Sequence, residues 1–255
     1  MIKPVCLVIG AGAGIGGNVA KRFAQEGYHT VLCRRSDEGG LKKMVAEIEA
    51  GGGSASGYLL NAVEPDALEE RIADVEANIG PIDAVVFNLG AQIGDRSLAN
   101  TSYKAFEIGW RMATFALFRM ASVVTPFMQE RGRGTILVTS ATSAVRGNAG
   151  QHSHAAAMGG RRMLCQSLNA EFAPKGIHVA HIVIDGAVDA PDTLGKMLGE
   201  EKFQALREAK GMEHDGLMLP ERIADTYYHI HQQHRSVWTH EMDLRSFSDR
   251  AWWNH

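Results

Sequence analysis

VCLVIGAGAGIGGNVAKRFA, residues 5–24, decides the fold. Val5–Ile9 is a short apolar run of strand length, and Gly16–Glu26 repeats apolar residues at helical spacing. Between them Gly10, Gly14 and Gly16 form a G-x-x-x-G-x-G turn. Glycines permit a tight turn and a close backbone approach, and the helix N-terminus that follows presents N–H groups and a positive dipole to a phosphate. Glycines also serve plain turns; the strand before them and the helix after them favour nucleotide binding. Gly10, Gly14, Ile15 and Gly16 are therefore candidate cofactor-binding residues.

The same alternation runs outward along the chain. Further strand-like runs fall at His29–Cys33, Ala55–Leu60, Ala84–Asn88, Gly134–Ser140 and His178–Asp185, each apolar or β-branched through its middle. Helical patterns lie between them at Glu38–Ala50, Pro65–Ile79, Tyr103–Glu130 and His154–Phe172. A last strand, alternating in polarity, is expected at Ser236–Leu244. This rhythm predicts an α/β fold: a single doubly wound Rossmann-type domain over residues 1–255, with a parallel sheet of about seven strands and helices on both faces. The stretch 190–219 breaks the rhythm, with a helical piece near Gly199–Lys210 and a turn-rich end, GMEHDG. An insertion after a late strand sits over the carboxyl edge of such a sheet, so a substrate lid is expected there.

The bulk properties exclude several partners. A length of 255 residues, 45% hydrophobic and 22% charged, suits a soluble domain with a full core. A net charge of −3 gives no electrostatic reason to expect nucleic acid or an anionic membrane, and no apolar run reaches the length of a membrane span. The three cysteines (Cys6, Cys33, Cys165) lie far apart and read as buried apolar residues in a reducing compartment. The opening MIKPVCLVIG runs straight into the first strand and leaves no room for a cleaved leader, so a cytoplasmic location is expected. Of eleven histidines, His229, His231 and His234 do not converge on one helical face; they are expected to face solvent, and no metal site is predicted.

The glycine spacing, with three later segments, resembles the short-chain dehydrogenase/reductase family over essentially the whole chain. GPIDAVVFNLGA (80–91) resembles the family's fourth-strand signature, with Asn88 and Gly90 retained from N-N-A-G. GRGTILVTSATS (132–143) is similar to the strand before the catalytic loop, and APKGIHVAHIVIDGAVDA (173–190) to the segment that ends in P-G-x-x-x-T, with Gly186 retained. The resemblance implies NAD or NADP as cofactor and dimers or tetramers formed through the helices at Tyr103–Glu130 and His154–Phe172, whose Phe106, Phe115, Phe118, Met112 and Met120 suit an interface or plain core. Arg34 and Arg35 at the end of the second strand favour NADP, since guanidiniums pair with a 2′-phosphate where an acidic residue would repel it; as solvated surface charges they would carry no such meaning. Asn61, where the family often has Asp near the adenine, is a hydrogen-bonding candidate.

The chemistry departs from the family pattern. There a Tyr transfers the proton, a Lys lowers its pKa and holds the ribose, a Ser orients the carbonyl and an Asn supports a water relay. The register fixed by GNAGQ (147–151) and SLNAEF (167–172) puts His154 at the Tyr position and Met158 at the Lys position. The Ser position falls on Ala141, flanked by Ser140 and Ser143, and the Asn position on Ala113. Asp185 replaces the proline of P-G, and Ala190 the threonine. Arg161 and Arg162, one turn beyond Met158, read as helix surface. Three readings stay open. His154 is the acid/base of a reductase acting on a small carbonyl or alcohol, since imidazole titrates near pH 6.5 without activation, with Ser140 or Ser143 polarising the substrate. Alternatively, the chain binds nucleotide without catalysis, or His154 runs non-redox lyase or isomerase chemistry.

Overall fold

A strand with apolar residues on both faces must be covered on both sides. The computed structural model describes residues 2–90, 97–211 and 216–254. Its strands are β1 (Val5–Ile9), β2 (His29–Arg34), β3 (Ser54–Leu59), β4 (Ile82–Phe87), β5 (Gly134–Ala141), β6 (Ile177–Ile184) and β7 (Glu241–Leu244). They form one parallel sheet in the order β3-β2-β1-β4-β5-β6-β7. The helices are α1 (Ile15–Gln25), α2 (Glu38–Ala50), α3 (Ala67–Asn78), α4 (Tyr103–Trp110), α5 (Ala116–Arg131), α6 (His152–Phe172), α7 (Lys196–Leu198), α8 (Glu200–Lys210) and α9 (Pro220–His231). Successive strand side chains point to opposite faces, so Val5, Leu7 and Ile9 join one core with α3, α5 and α6. Cys6 and Val8 join the other, with α1, α2 and α9. The expected doubly wound α/β sheet is present, and its strand order reverses between β1 and β4, where ligands bind in such sheets. Cys6, Cys33 and Cys165 are free thiols within the cores.

Four local expectations need correction. The helix read over Tyr103–Glu130 is interrupted by a π turn, Arg111–Phe115, that packs against α6: Thr114 Oγ1 donates to the Ala157 carbonyl at 2.7 Å, with Gly160 leaving room beside it. The strand read from Ser236 pairs only over Glu241–Leu244, because Arg235–Val237 winds into a 3-10 turn. The helix α9 was not expected, although Pro220 sits at its first turn and Ile223, Ala224, Tyr227 and Ile230 form a buried stripe. That stripe turns His231 inward rather than to solvent: its Nε2 lies 2.6 Å from the Tyr28 hydroxyl and its Nδ1 2.9 Å from Thr135 Oγ1. Finally, Arg162 is not a loose surface charge. Its fork pairs with both Glu241 oxygens at 2.7 Å, and Glu241 also meets His181 Nδ1 at 3.0 Å, which pins β7 to the sheet. The expected α8 is present, whereas residues 212–215 of GMEHDG lie outside the described residues.

Burial lowers the pKa of His178, His181 and His231, with His181 pushed down to about 4 despite Glu241. These rings enter the fold neutral. As pH drops below about 6.5 the unfolded chain takes up protons that the folded one refuses, and stability falls until about pH 4. His181 alone contributes on the order of 3 kcal/mol to this loss. Thermal unfolding followed from pH 7.5 to 4.5 is expected to show that decline. His181→Gln, which cannot take up the proton, is expected to flatten it.

Candidate functional site

At the strand-order reversal two loops meet at backbone distance. Asn88 N–H donates to the Ile9 carbonyl at 2.8 Å, and its side-chain amide donates to the Gly10 carbonyl at 2.9 Å. Gly10 has a φ of +95°, and a Cβ there would lie 2.5 Å from the Asn88 oxygen; a Cβ on Gly16 would overlap the Gly10 carbonyl. These glycines are obligatory for packing within the protein. Gly12 and Gly90 are different, because among the described residues a Cβ on either would meet nothing within 4 Å, so both border open space at the carboxyl edge. The helix α1 begins there with Gly14 as its cap, no side-chain cap bond and no acidic residue in its first turn, while Gly17 N–H donates to the Gly12 carbonyl at 2.7 Å. Ile15 and Gly16 stand in that first turn. Open space beside a helix N-terminus that has no side-chain cap fits a pyrophosphate.

The two arginines after β2 are not equivalent. Arg34 is paired with Asp37 at 3.0 Å, whereas Arg35 is exposed at the start of the loop. Asn61 is committed to its own loop, its amide donating to Glu64 Oε1 at 2.9 Å. Thr193, absent from the sequence reading, reaches the glycine loop: its Oγ1 would lie 3.6 Å from a Cβ on Gly14, and the Cβ of Ala190 3.2 Å from it. A π turn at Pro191–Gly195 brings it there, and nothing in the local sequence marks that turn.

The other half of the site lies along α6. His154 is half-buried in the first turn, Met158 is 3% exposed one turn later, and Arg161 is fully buried one turn beyond. Met158 packs with Ala113, Ala157 and Ala144, so an apolar floor occupies the place where the family carries an ammonium. Ser140 is buried with its Oγ 4.0 Å from Met158 Sδ. Ser143, in the 3-10 turn Thr142–Ala144 packed on α6, is also buried, and its hydroxyl has no hydrogen-bond partner. An unpartnered buried hydroxyl is unfavourable by about 1–3 kcal/mol unless a ligand oxygen completes it. The surface role read for Arg161 is overturned. Its guanidinium donates to three backbone carbonyls: Ala113 at 3.0 Å, Thr139 at 2.6 Å and Leu89 at 2.7 Å.

Asp185 explains its own departure. Buried just beyond β6, it accepts the Arg245 Nε–H and the Trp252 N–H through one oxygen, each at 3.0 Å. Arg146, in the loop before α6, donates to the Trp252 carbonyl at 2.9 Å, and Lys210 at the end of α8 pairs with Asp249. Gly186, a cofactor candidate by sequence, lies against this tail, since a Cβ there would come within 2.7 Å of Asp249 Oδ2. Residues 245–254 thus strap the loop before His154 to β6 and α8. Among the described residues, no three His, Cys, Asp or Glu side chains are grouped to hold a metal ion.

The fold and this edge define a doubly wound dinucleotide-binding protein. The model of the short chain dehydrogenase family matches residues 4–196, and the chain belongs to that family of NAD(P)-dependent oxidoreductases. It is 30% identical over 227 residues to the short-chain reductase protein NovJ of Streptomyces niveus, covering 88% of this chain and 85% of that one. A short-chain dehydrogenase structure from Rhodopseudomonas palustris superposes with a TM-score of 0.79 at 32% identity, over 96% of this chain and 99% of that one. A metagenomic short-chain oxidoreductase in complex with NADP shares the fold with a TM-score of 0.79 at 21% identity, over 97% of this chain and 99% of that one.

Asp185→Ala is expected to release the tail. It removes two bonds to partly buried donors, so unfolding free energy should drop by about 1–3 kcal/mol. Amide exchange at Trp252 should quicken well before that of β6 does. Unchanged protection at Trp252 would show that the tail is held by other contacts.

Proposed function

We propose that this chain binds NADP(H) and acts as a reductase or dehydrogenase on a small carbonyl or alcohol, with His154 as the proton-transfer group. The open space beside Gly12 and Gly90, next to a helix N-terminus without a side-chain cap, carries the cofactor half of this reading. Gly10, Gly14, Ile15 and Gly16 would hold the pyrophosphate, Asn88 and Gly90 would border it, and Arg35 would pair with a 2′-phosphate. The NADP-bound fold relative is consistent with that choice. Bound cofactor would supply a hydride. The chain's own part is to orient the substrate oxygen and move one proton. Ser143 is better suited than Ser140 to the first task, because its buried hydroxyl lacks a partner whereas Ser140 faces Met158. His154 serves the second, since an imidazole exchanges protons near neutrality without help from a lysine. Thr193 and Ala190 over the glycine loop support the expected lid at 190–219, of which 212–215 lie outside the described residues.

A second reading, nucleotide binding without turnover, draws support from the apolar floor of Ala113, Ala157 and Met158, which offers no path for a proton relay. Assembly into dimers or tetramers is the expected use of the exposed Trp110, Phe115 and Phe118, whose rings stack in series. Among the described residues no helix is long and apolar enough to cross a membrane, and the three buried thiols suit a reducing compartment such as the cytoplasm.

Tryptophan fluorescence titrations are expected to show tighter binding of NADPH than of NADH. Arg35→Glu should weaken NADPH roughly ten- to a hundredfold and leave NADH unchanged, as expected when one charge-assisted contact is lost. Wild-type preference for NADH would remove the NADP reading. With a panel of small carbonyls, His154→Gln should slow NADPH oxidation by about a hundredfold or more while NADPH affinity holds. Tight NADPH binding with no oxidation by wild type would establish the second reading instead. Light scattering should report an oligomer that Phe118→Glu dissociates.

A further inference from the structure

The largest fully buried side chain in the protein carries a charge. Arg161 has no exposed surface, and among the described residues no carboxylate pairs with it. Burial pulls its pKa down to about 10, so the guanidinium remains charged at neutral pH. A desolvated cation without a counter-ion persists only when its donors are well satisfied. Here the acceptors are carbonyls from three distant segments. Leu89 lies between Asn88, which bonds the Gly10 carbonyl, and Gly90, which borders the open space. Thr139 immediately precedes Ser140, and Ala113 is the centre of the π turn that packs on α6. One planar fork therefore fixes the backbone at the carboxyl ends of β4 and β5 and at the turn between α4 and α5. Lysine, with a single nitrogen, cannot span all three.

We propose that Arg161 is the positioning residue for the nicotinamide half of the dinucleotide, and that its buried charge is what makes an uncharged residue necessary at position 158. This rests on the dinucleotide reading above. Met158 and Arg161 are three residues apart on the inward face of one helix, both inside the protein. A second cation there would face the first across a poorly screened interior.

Two comparisons test this. The first uses Arg161→Lys, which keeps the charge and loses the fork. NADPH affinity is expected to fall at least tenfold while adenosine 2′,5′-bisphosphate, which reaches only the adenosine end, binds within twofold of wild type. A general loosening of the fold would weaken both ligands alike, and that result, or no change in either, overturns the proposal. The second is a charge-swap cycle read by thermal unfolding. Met158→Lys is expected to lower Tm, and Arg161→Met added to it should restore part of the loss, although Arg161→Met alone destabilises. Additive losses in the double variant overturn the proposal, including where Arg161→Lys fails to fold. A wild-type chain that binds neither NADPH nor NADH removes the dinucleotide reading and this one together. Normal wild-type binding with an unchanged ratio between the two ligands removes this one alone.

Discussion

The contact between the Gly10 loop and Asn88 is the constraint on which the rest of the carboxyl edge depends. β1 and β4 are neighbours in the sheet, yet the chain leaves them in opposite directions, toward β2 and toward β5. A trough opens where the loops diverge, and its depth is set by how closely they begin. Asn88 closes that beginning with one backbone and one side-chain bond, and the positive φ of Gly10 with the bare Cα of Gly16 lets the turn fold down beside it. Any side chain at Gly10 would push the loops apart and tilt the N-terminus of α1 away from the trough.

The electrostatics of the site follow from where charge is kept. On the loop after β2 it is exposed on Arg35, while Arg34 is tied to Asp37. At the other end it is fixed and internal on Arg161, beneath a floor of methyl groups and a thioether. A guanidinium bonded to carbonyls fixes backbone geometry, and its charge, held inside the protein, is set against a second cation nearby. A rim ammonium would act mainly on the pKa of a neighbouring acid. The two arrangements solve different problems, and an imidazole near neutrality needs only the first.

How much of this could be read in the sequence differs by element. The sheet was legible because strands covered on both faces are apolar throughout, and the glycine turn because its spacing is dictated by steric overlap. The helix α9 was legible too, in the helical period of Ile223, Ala224, Tyr227 and Ile230. The π turns at Arg111–Phe115 and Pro191–Gly195 were not legible, since no residue type requires them and they arise from packing against other elements. Arg161 was the least legible of all. An arginine on a helix is ordinarily solvated, and its three acceptors lie 22, 48 and 72 residues away in the chain.

The departures from the family pattern are also connected to one another, which bears on whether the site has decayed or been rebuilt. Loss of function without replacement leaves unpaired polar groups and poor packing around each altered position. At 185 the carboxylate that replaces a proline bonds two donors of the tail. At 158 the thioether fills an apolar floor with Ala113, the position that lost its asparagine, and the Ala113 carbonyl is satisfied by Arg161. At 190 the alanine methyl itself covers Gly14, and Thr193 Oγ1 stands beside it. The substitutions at 185 and 158 are matched by partners from distant segments, and Arg161, buried at a desolvation penalty, is matched by three carbonyls. These positions are repacked together rather than left as voids, which the proposed use of His154 requires.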